Sequence, residues 1–111
     1  MRAKEVGSAS RKRLGGRAAR DLRDINQYSE KQWGQSVADA YMSDLYAGFA
    51  QIAERPLNGQ QHQHRSAPFL MRMVRRHAVI YTLDTDETTV ILALLHQARD
   101  IEAIVAQLRN S

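Results

Sequence analysis

Arg17-Ala18-Ala19-Arg20-Asp21-Leu22-Arg23-Asp24-Ile25-Asn26-Gln27-Tyr28, continuing to Trp33-Gly34, is the stretch that decides the fold of this 111-residue chain. Ala18, Leu22, Ile25, Tyr28 and Trp33 recur every three to five residues while Arg20, Asp21, Arg23 and Asp24 fill the other faces, the pattern of a helix with one buried side. Gly34 suits the left-handed conformation that ends a helix, and Ser36 followed by Asp39 reads as a capping box opening the next one. Val37, Tyr41, Leu45, Gly48, Phe49 and Ile52 form the stripe of that second helix. It should stop before Pro56, because proline disfavours helical geometry at the residue before it. Two helices joined so tightly form an antiparallel hairpin.

Working outward, Pro56 to Pro68 is polar, with a turn signal at Asn58-Gly59 and the run Gln60-Gln61-His62-Gln63-His64-Arg65, and it reads as a mobile connector with no core. Three extended segments follow: Phe69 to Arg76, His77 to Leu83 and Thr88 to His96, the last two separated by the acidic turn Asp84-Thr85-Asp86-Glu87. Val90 to Leu95 is apolar without alternation. Such a run fits a central strand covered on both faces, or one covered by helices on one side and a partner chain on the other. Asp100 can cap a terminal helix carrying Ile101, Ile104, Val105 and Leu108 on one stripe. Before the hairpin, Arg11 to Leu14 reads as a short strand. The expectation is an α+β domain: a short N-terminal strand, a helical hairpin packed on a small antiparallel sheet, and a short C-terminal helix.

The chain has room for one domain, over residues 10–111, preceded by a flexible basic extension, 1–9. With 43% hydrophobic and 25% charged residues the composition is that of a folded protein rather than a disordered one. No apolar run reaches the ~20 residues of a membrane span, and residues 1–6 lack the apolar centre of a secretory signal, so the expectation is a cytoplasmic protein. The absence of cysteine excludes disulfides, thiol nucleophiles and cysteine zinc sites. The net charge is +4, unevenly distributed: seven Lys/Arg face only Glu5 in the first twenty residues, so the remainder is slightly acidic. A basic arm of this kind either contacts phosphate or an acidic partner, or is simply solvated.

Few residues carry chemistry. His62 and His64, one residue apart in a polar loop without cysteine or a third ligand, make no zinc site, and no cofactor is expected. His77 and His96, at the start and end of adjacent strands, are placed to approach Tyr81, Arg75, Arg76 and Arg99. Such a cluster either performs acid–base work on RNA or merely hydrogen-bonds at strand ends. Asp21 and Asp24, among arginines on a helix, read as surface salt bridges. Trp33 and Tyr41 read as core by the burial preference of large aromatics. Phosphate-binding glycine loops, HExxH and GxSxG are all absent.

Taken in order, Ala18 to Tyr28, Trp33-Gly34, Ala40-Tyr41, Leu45, Phe49, Ile52-Ala53 and Pro56 resemble the helical hairpin of ParE toxins of the RelE/ParE superfamily. His77-Ala78-Val79-Ile80-Tyr81 is similar to that family's His-x-hydrophobic-hydrophobic/aromatic-Tyr strand, and Leu94-Leu95-His96-Gln97-Ala98-Arg99-Asp100 to its Leu-His-x-x-x-Asp ending. The resemblance covers roughly residues 10–109. It implies the toxin of a type II toxin–antitoxin module, of the kind linked to plasmid stabilization. Such a toxin poisons DNA gyrase by stabilising its cleaved DNA complex, and a ParD-like antitoxin silences it in a hetero-oligomer. The antitoxin would line a groove at Leu22, Ile25, Tyr41, Leu45, Phe49, Val79 and Tyr81. Toxicity would reside in Arg72, Arg75, Arg76, His77, His96 and Arg99, with indirect DNA contact through the target. One departure is Phe69-Leu70-Met71-Arg72, where the family often begins its strand with Tyr-Arg-Arg, leaving Arg72 to substitute. The competing readings are a RelE-like ribosome-dependent mRNA endoribonuclease, against which the lack of a basic, aromatic-ended tail counts, and a non-toxic binding module.

Overall fold

The computed structural model describes residues 11–58, 60–62 and 69–97, together with Ile104 and Gln107. Strand β1 (Lys12–Leu14) leads through Gly15 into helix α1 (Gly16–Trp33), and Gly34 alone separates α1 from helix α2 (Gln35–Glu54). A single 3-10 turn (Pro56–Asn58) precedes β2 (Gln60–His62), and β3 (Phe69–Val74), β4 (His77–Leu83) and β5 (Thr89–His96) complete the order. The strands form one sheet in the order β1-β5-β4-β3-β2. The α+β architecture is the one the sequence predicts.

The helical link differs from the expected capping box. Gly34, at φ 90°, ends α1 with its N–H on the Glu30 carbonyl (2.9 Å) and starts α2 with its carbonyl accepting the Ala38 N–H (3.1 Å). One glycine does both jobs because no other residue adopts this backbone cheaply. Ser36 lies already inside α2, and α2 has no side-chain cap.

Two features of the sheet differ from expectation. First, β1 joins β5 in parallel, Lys12 opposite Thr89 and Leu14 opposite Ile91, so the sheet is mixed rather than antiparallel. The helical hairpin supplies the long crossover that a parallel pair needs. Gly15 extends this pairing, its N–H donating to the Ile91 carbonyl at 2.9 Å, and a Cβ at that position would lie 3.3 Å from the same oxygen. Second, the connector contains β2, antiparallel to β3 with Gln60 opposite Met71. Its glutamines and histidine give no apolar signal, because an edge strand pairs through its backbone.

Both faces of the central strands are covered. On the helix side, Ala18 and Leu22 of α1 and Leu45, Phe49 and Ile52 of α2 pack with Val79, Tyr81, Ile91 and Leu94. On the other side, Phe69, Ala78, Ile80, Ala93 and Leu95 form a second cluster with Leu92 and Ile104 against it. Ile104 and Gln107 are helical, and the rest of the predicted terminal helix, like extension 1–9, lies outside the described residues. The unalternating run in β5 has a further cause. Ile80 pairs with Ala93 but Tyr81 pairs with Ile91, so Leu92 is an extra residue, a bulge that turns Leu92 and Ala93 toward the same cluster.

Candidate functional site

An open groove of about 640 Å³ lies between the helical hairpin and one end of the sheet. α1 contributes Asp24, Ile25, Tyr28 and Trp33, α2 contributes Tyr41, and the sheet end contributes Arg76, His77 and His96. The last two face each other across β4 and β5 as register partners, which brings their rings edge to face at 5.4 Å.

Tyr41 ties the helices to this end of the sheet. Its oxygen accepts the Arg76 backbone N–H at 3.3 Å, so its own hydrogen is free to be donated to His77 Nδ1 at 2.7 Å. With Tyr41 donating, Nδ1 is the acceptor and the ring proton sits on Nε2. Burial holds the His77 imidazole below the usual histidine range, with neighbouring His96 acting the same way and the Asp21 carboxylate opposing both.

Arg75 completes the cluster under backbone strain. It occupies the two-residue turn between β3 and β4 at φ 53°, where non-glycine residues are uncommon. Its guanidinium meets the Asp44 carboxylate at 2.6 Å and lies 4.9 Å from the centre of the Tyr41 ring. Three contacts between the turn and α2 (Tyr41 on His77, Tyr41 on Arg76, Arg75 on Asp44) thus hold one wall of the groove.

Sequence reasoning missed the role of Asp21. It does pair with Arg17 at 3.2 Å as expected, but it is not merely a surface residue, because its other oxygen accepts the Leu94 N–H of β5 at 2.9 Å. The carboxylate thereby pins α1 to the sheet beside His77. An i, i+4 Arg–Asp spacing signals the ion pair, and nothing in the sequence signals the backbone partner.

The predicted toxicity residues divide. Arg76, His77 and His96 meet in the groove and Arg75 stands behind Tyr41. Arg72 instead donates to Gln51 Oε1 on α2 at 2.5 Å, and Arg99 lies outside the described residues. The predicted antitoxin groove needs correction. Leu22, Leu45, Phe49, Val79 and Tyr81 are all 5% exposed or less and belong to the chain's own core. The helical stripes that look available to a partner are consumed by the sheet, and only Ile25 and Tyr41 reach the groove. Tyr81 is also far from the role of a groove acid: it is fully buried and its hydroxyl donates to the Pro56 carbonyl at 2.5 Å. Trp33 reverses the opposite way. It is 59% exposed, as is Tyr28, and the two rings meet edge to face at 5.7 Å on the outer wall. Among the described residues, no group of three or more His, Asp or Glu is placed to hold a metal.

Residues 13–101 match the family model described as ParE toxin of type II toxin-antitoxin system, parDE. The chain belongs to the ParE toxin family. A ParE relative, Toxin ParE1 of Caulobacter vibrioides, is 35% identical over 91 residues, spanning 82% of this chain and 93% of that protein. The same fold occurs in a solved structure titled chromosomal ParDE TA system from P. aeruginosa, with a TM-score of 0.68 at 12% identity over 80% of this chain and 97% of that one. The ParE match takes in most of β1, together with the helical hairpin and the His77–His96 end of the sheet that build the groove. Among the described residues, no helix is long and apolar enough to cross a membrane.

Proposed function

We propose that this ParE-family chain is a non-enzymatic toxin that arrests DNA gyrase on cleaved DNA and is held silent by a ParD-like antitoxin. Family membership supports the antitoxin pairing. The exposed Tyr28, Trp33 and Val37 around the hairpin tip supply the apolar surface that a partner segment would cover. The observation that carries the non-enzymatic reading is the position of Tyr81. A RelE-like nuclease built on the His77/Tyr81/His96 set requires all three side chains at one accessible face. Here Tyr81 is sealed in the core with its hydroxyl committed to Pro56, and His77 is hydrogen-bonded to Tyr41.

The test is pulse incorporation of labelled thymidine and labelled methionine, minutes after the chain is induced in a bacterial host without antitoxin. Early loss of thymidine incorporation with continued methionine uptake is the expected result. The reverse order would transfer the target to translation. Killing retained by all three separate replacements of His77, Tyr81 and His96 rules out the nuclease, whereas its loss in all three, each still folded, favours it.

A further inference from the structure

Away from the groove, the opposite flank of α1 carries a concentration of cations that the gyrase reading does not use. Arg11, Lys12 and Arg13 lie at and along β1, an edge strand, and Arg20 and Arg23 follow on α1, while Arg17 between them turns to Asp21 on the His77–His96 side. Three of the six are engaged: Arg11 and Arg13 lean on Asp86 and Asp84 at 3.9 and 3.7 Å from exposed positions, and Arg17 pairs with Asp21. Lys12, Arg20 and Arg23 are exposed, and none has an acidic partner among the described residues.

Helical geometry puts Arg20 and Arg23 one turn apart on neighbouring positions of the surface. The nearest remaining acid on α1, Asp24, lies four residues after Arg20 and lines the His77–His96 groove, and no ion pair joins the two among the described residues. Arg23 edges a second furrow, of about 300 Å³, where α1, α2 and β1 meet, with Asn26, Leu14 and the half-exposed Tyr46 beside it. Unpaired guanidinium groups next to an amide and an accessible aromatic ring are the components that neutralise phosphates and rest against sugars and bases.

We propose that this flank, made by β1, the first half of α1 and Tyr46 of α2, is a DNA-contacting surface that neutralises backbone phosphates through Lys12, Arg20 and Arg23. The inference stands on charge placement and does not require gyrase as the target. DNA is favoured over an acidic peptide because five of the six cations are arginines, whose planar forks match phosphate oxygens, and because Tyr46 and Asn26 offer stacking and hydrogen-bonding groups alongside.

The test is fluorescence anisotropy of a labelled 20-base-pair duplex against the full-length chain, between 50 and 200 mM salt and without gyrase. Binding should weaken with salt along a log–log slope of about −3 or steeper, at ~0.9 per neutralised phosphate. R20E/R23E should weaken binding tenfold or more and flatten the slope by about two, at roughly one per lost phosphate contact. The control K31E/R55E removes the same charge from exposed positions at the C-terminal ends of α1 and α2, outside the residues that line the flank, and should bind as the parent does. Circular dichroism checks that both variants fold. Parent-like binding by R20E/R23E, equal weakening by the two variants, or capture of polyglutamate but not of the duplex would each overturn the proposal.

Discussion

Gly48 offers the sharpest test of the packing that sets the groove wall. It sits in the middle of α2, where alanine would ordinarily improve helix stability by about 1 kcal/mol. Here, however, a Cβ would lie 2.6 Å from Val74 Cγ2 and 3.7 Å from Val74 Cβ and Cγ1. Carbon atoms at rest sit ~3.5–4.0 Å apart, so about an ångström of overlap must be relieved. Val74 is β-branched with one side-chain torsion, and it pairs with His77 of β4 at the end of β3, so little can yield cheaply. Overpacking of this kind costs about 1–3 kcal/mol. Gly48→Ala should therefore lose up to about 2 kcal/mol net, a drop of up to roughly 10 °C in Tm for a domain of this size. Val74→Ala removes the obstructing methyl groups, and in that background Gly48→Ala should become neutral or stabilising. Thermal unfolding of the four-member cycle measures the coupling. An increase in Tm for Gly48→Ala alone, or the same effect in both backgrounds, would refute the contact argument.

Other expectations follow from single groups. Asp21→Ala strips the Leu94 N–H of its acceptor and should cost about 1–3 kcal/mol in urea unfolding, with Asp21→Asn retaining part of the loss because its amide oxygen can still accept. Thr89 is buried and its hydroxyl has no partner among the described residues, so Thr89→Val should raise the urea midpoint, by about 1 kcal/mol equivalent. His77 should titrate by NMR below the usual midpoint of ~6.5. The unfolded chain then takes up that proton first, so stability is complete above ~6.5 and declines as pH falls from there to the folded midpoint. A His77 midpoint above 6.5 would contradict the geometry described for Tyr41.

Much of the fold is legible in the sequence because it rests on periodicity. The α1 and α2 stripes, the glycine between them and the β3–β4–β5 meander are all written in apolar spacing and turn residues. The His77–His96 pairing follows from their positions at the two ends of adjacent strands. What periodicity cannot say is which neighbour covers a stripe: Leu45 and Phe49 look available to a partner, yet the sheet takes them. Trp33 falls on the apolar spacing of α1 but lies beyond the reach of the sheet, at the hairpin tip. Interactions through backbone atoms leave no mark at all. The parallel pairing of β1, the polar edge strand β2, the Asp21 bond to Leu94 and the bulge at Leu92 are of this kind. The strained Arg75 is disguised in a different way, since a turn at positive φ normally advertises itself with glycine or asparagine, and here Asp44 and Tyr41 hold an arginine in its place.

The parallel pairing of β1 with β5 also sets a clock on synthesis. Lys12 leaves the ribosome long before its partner Thr89, 77 residues later in the chain. At about 5–20 residues per second this delay is roughly 4–15 s, during which the helical hairpin can form locally but the sheet cannot close. The His77–His96 end of the groove appears only in the same final interval. An incomplete copy of the chain therefore lacks this groove, and a cell translating it has those seconds before the finished surface exists.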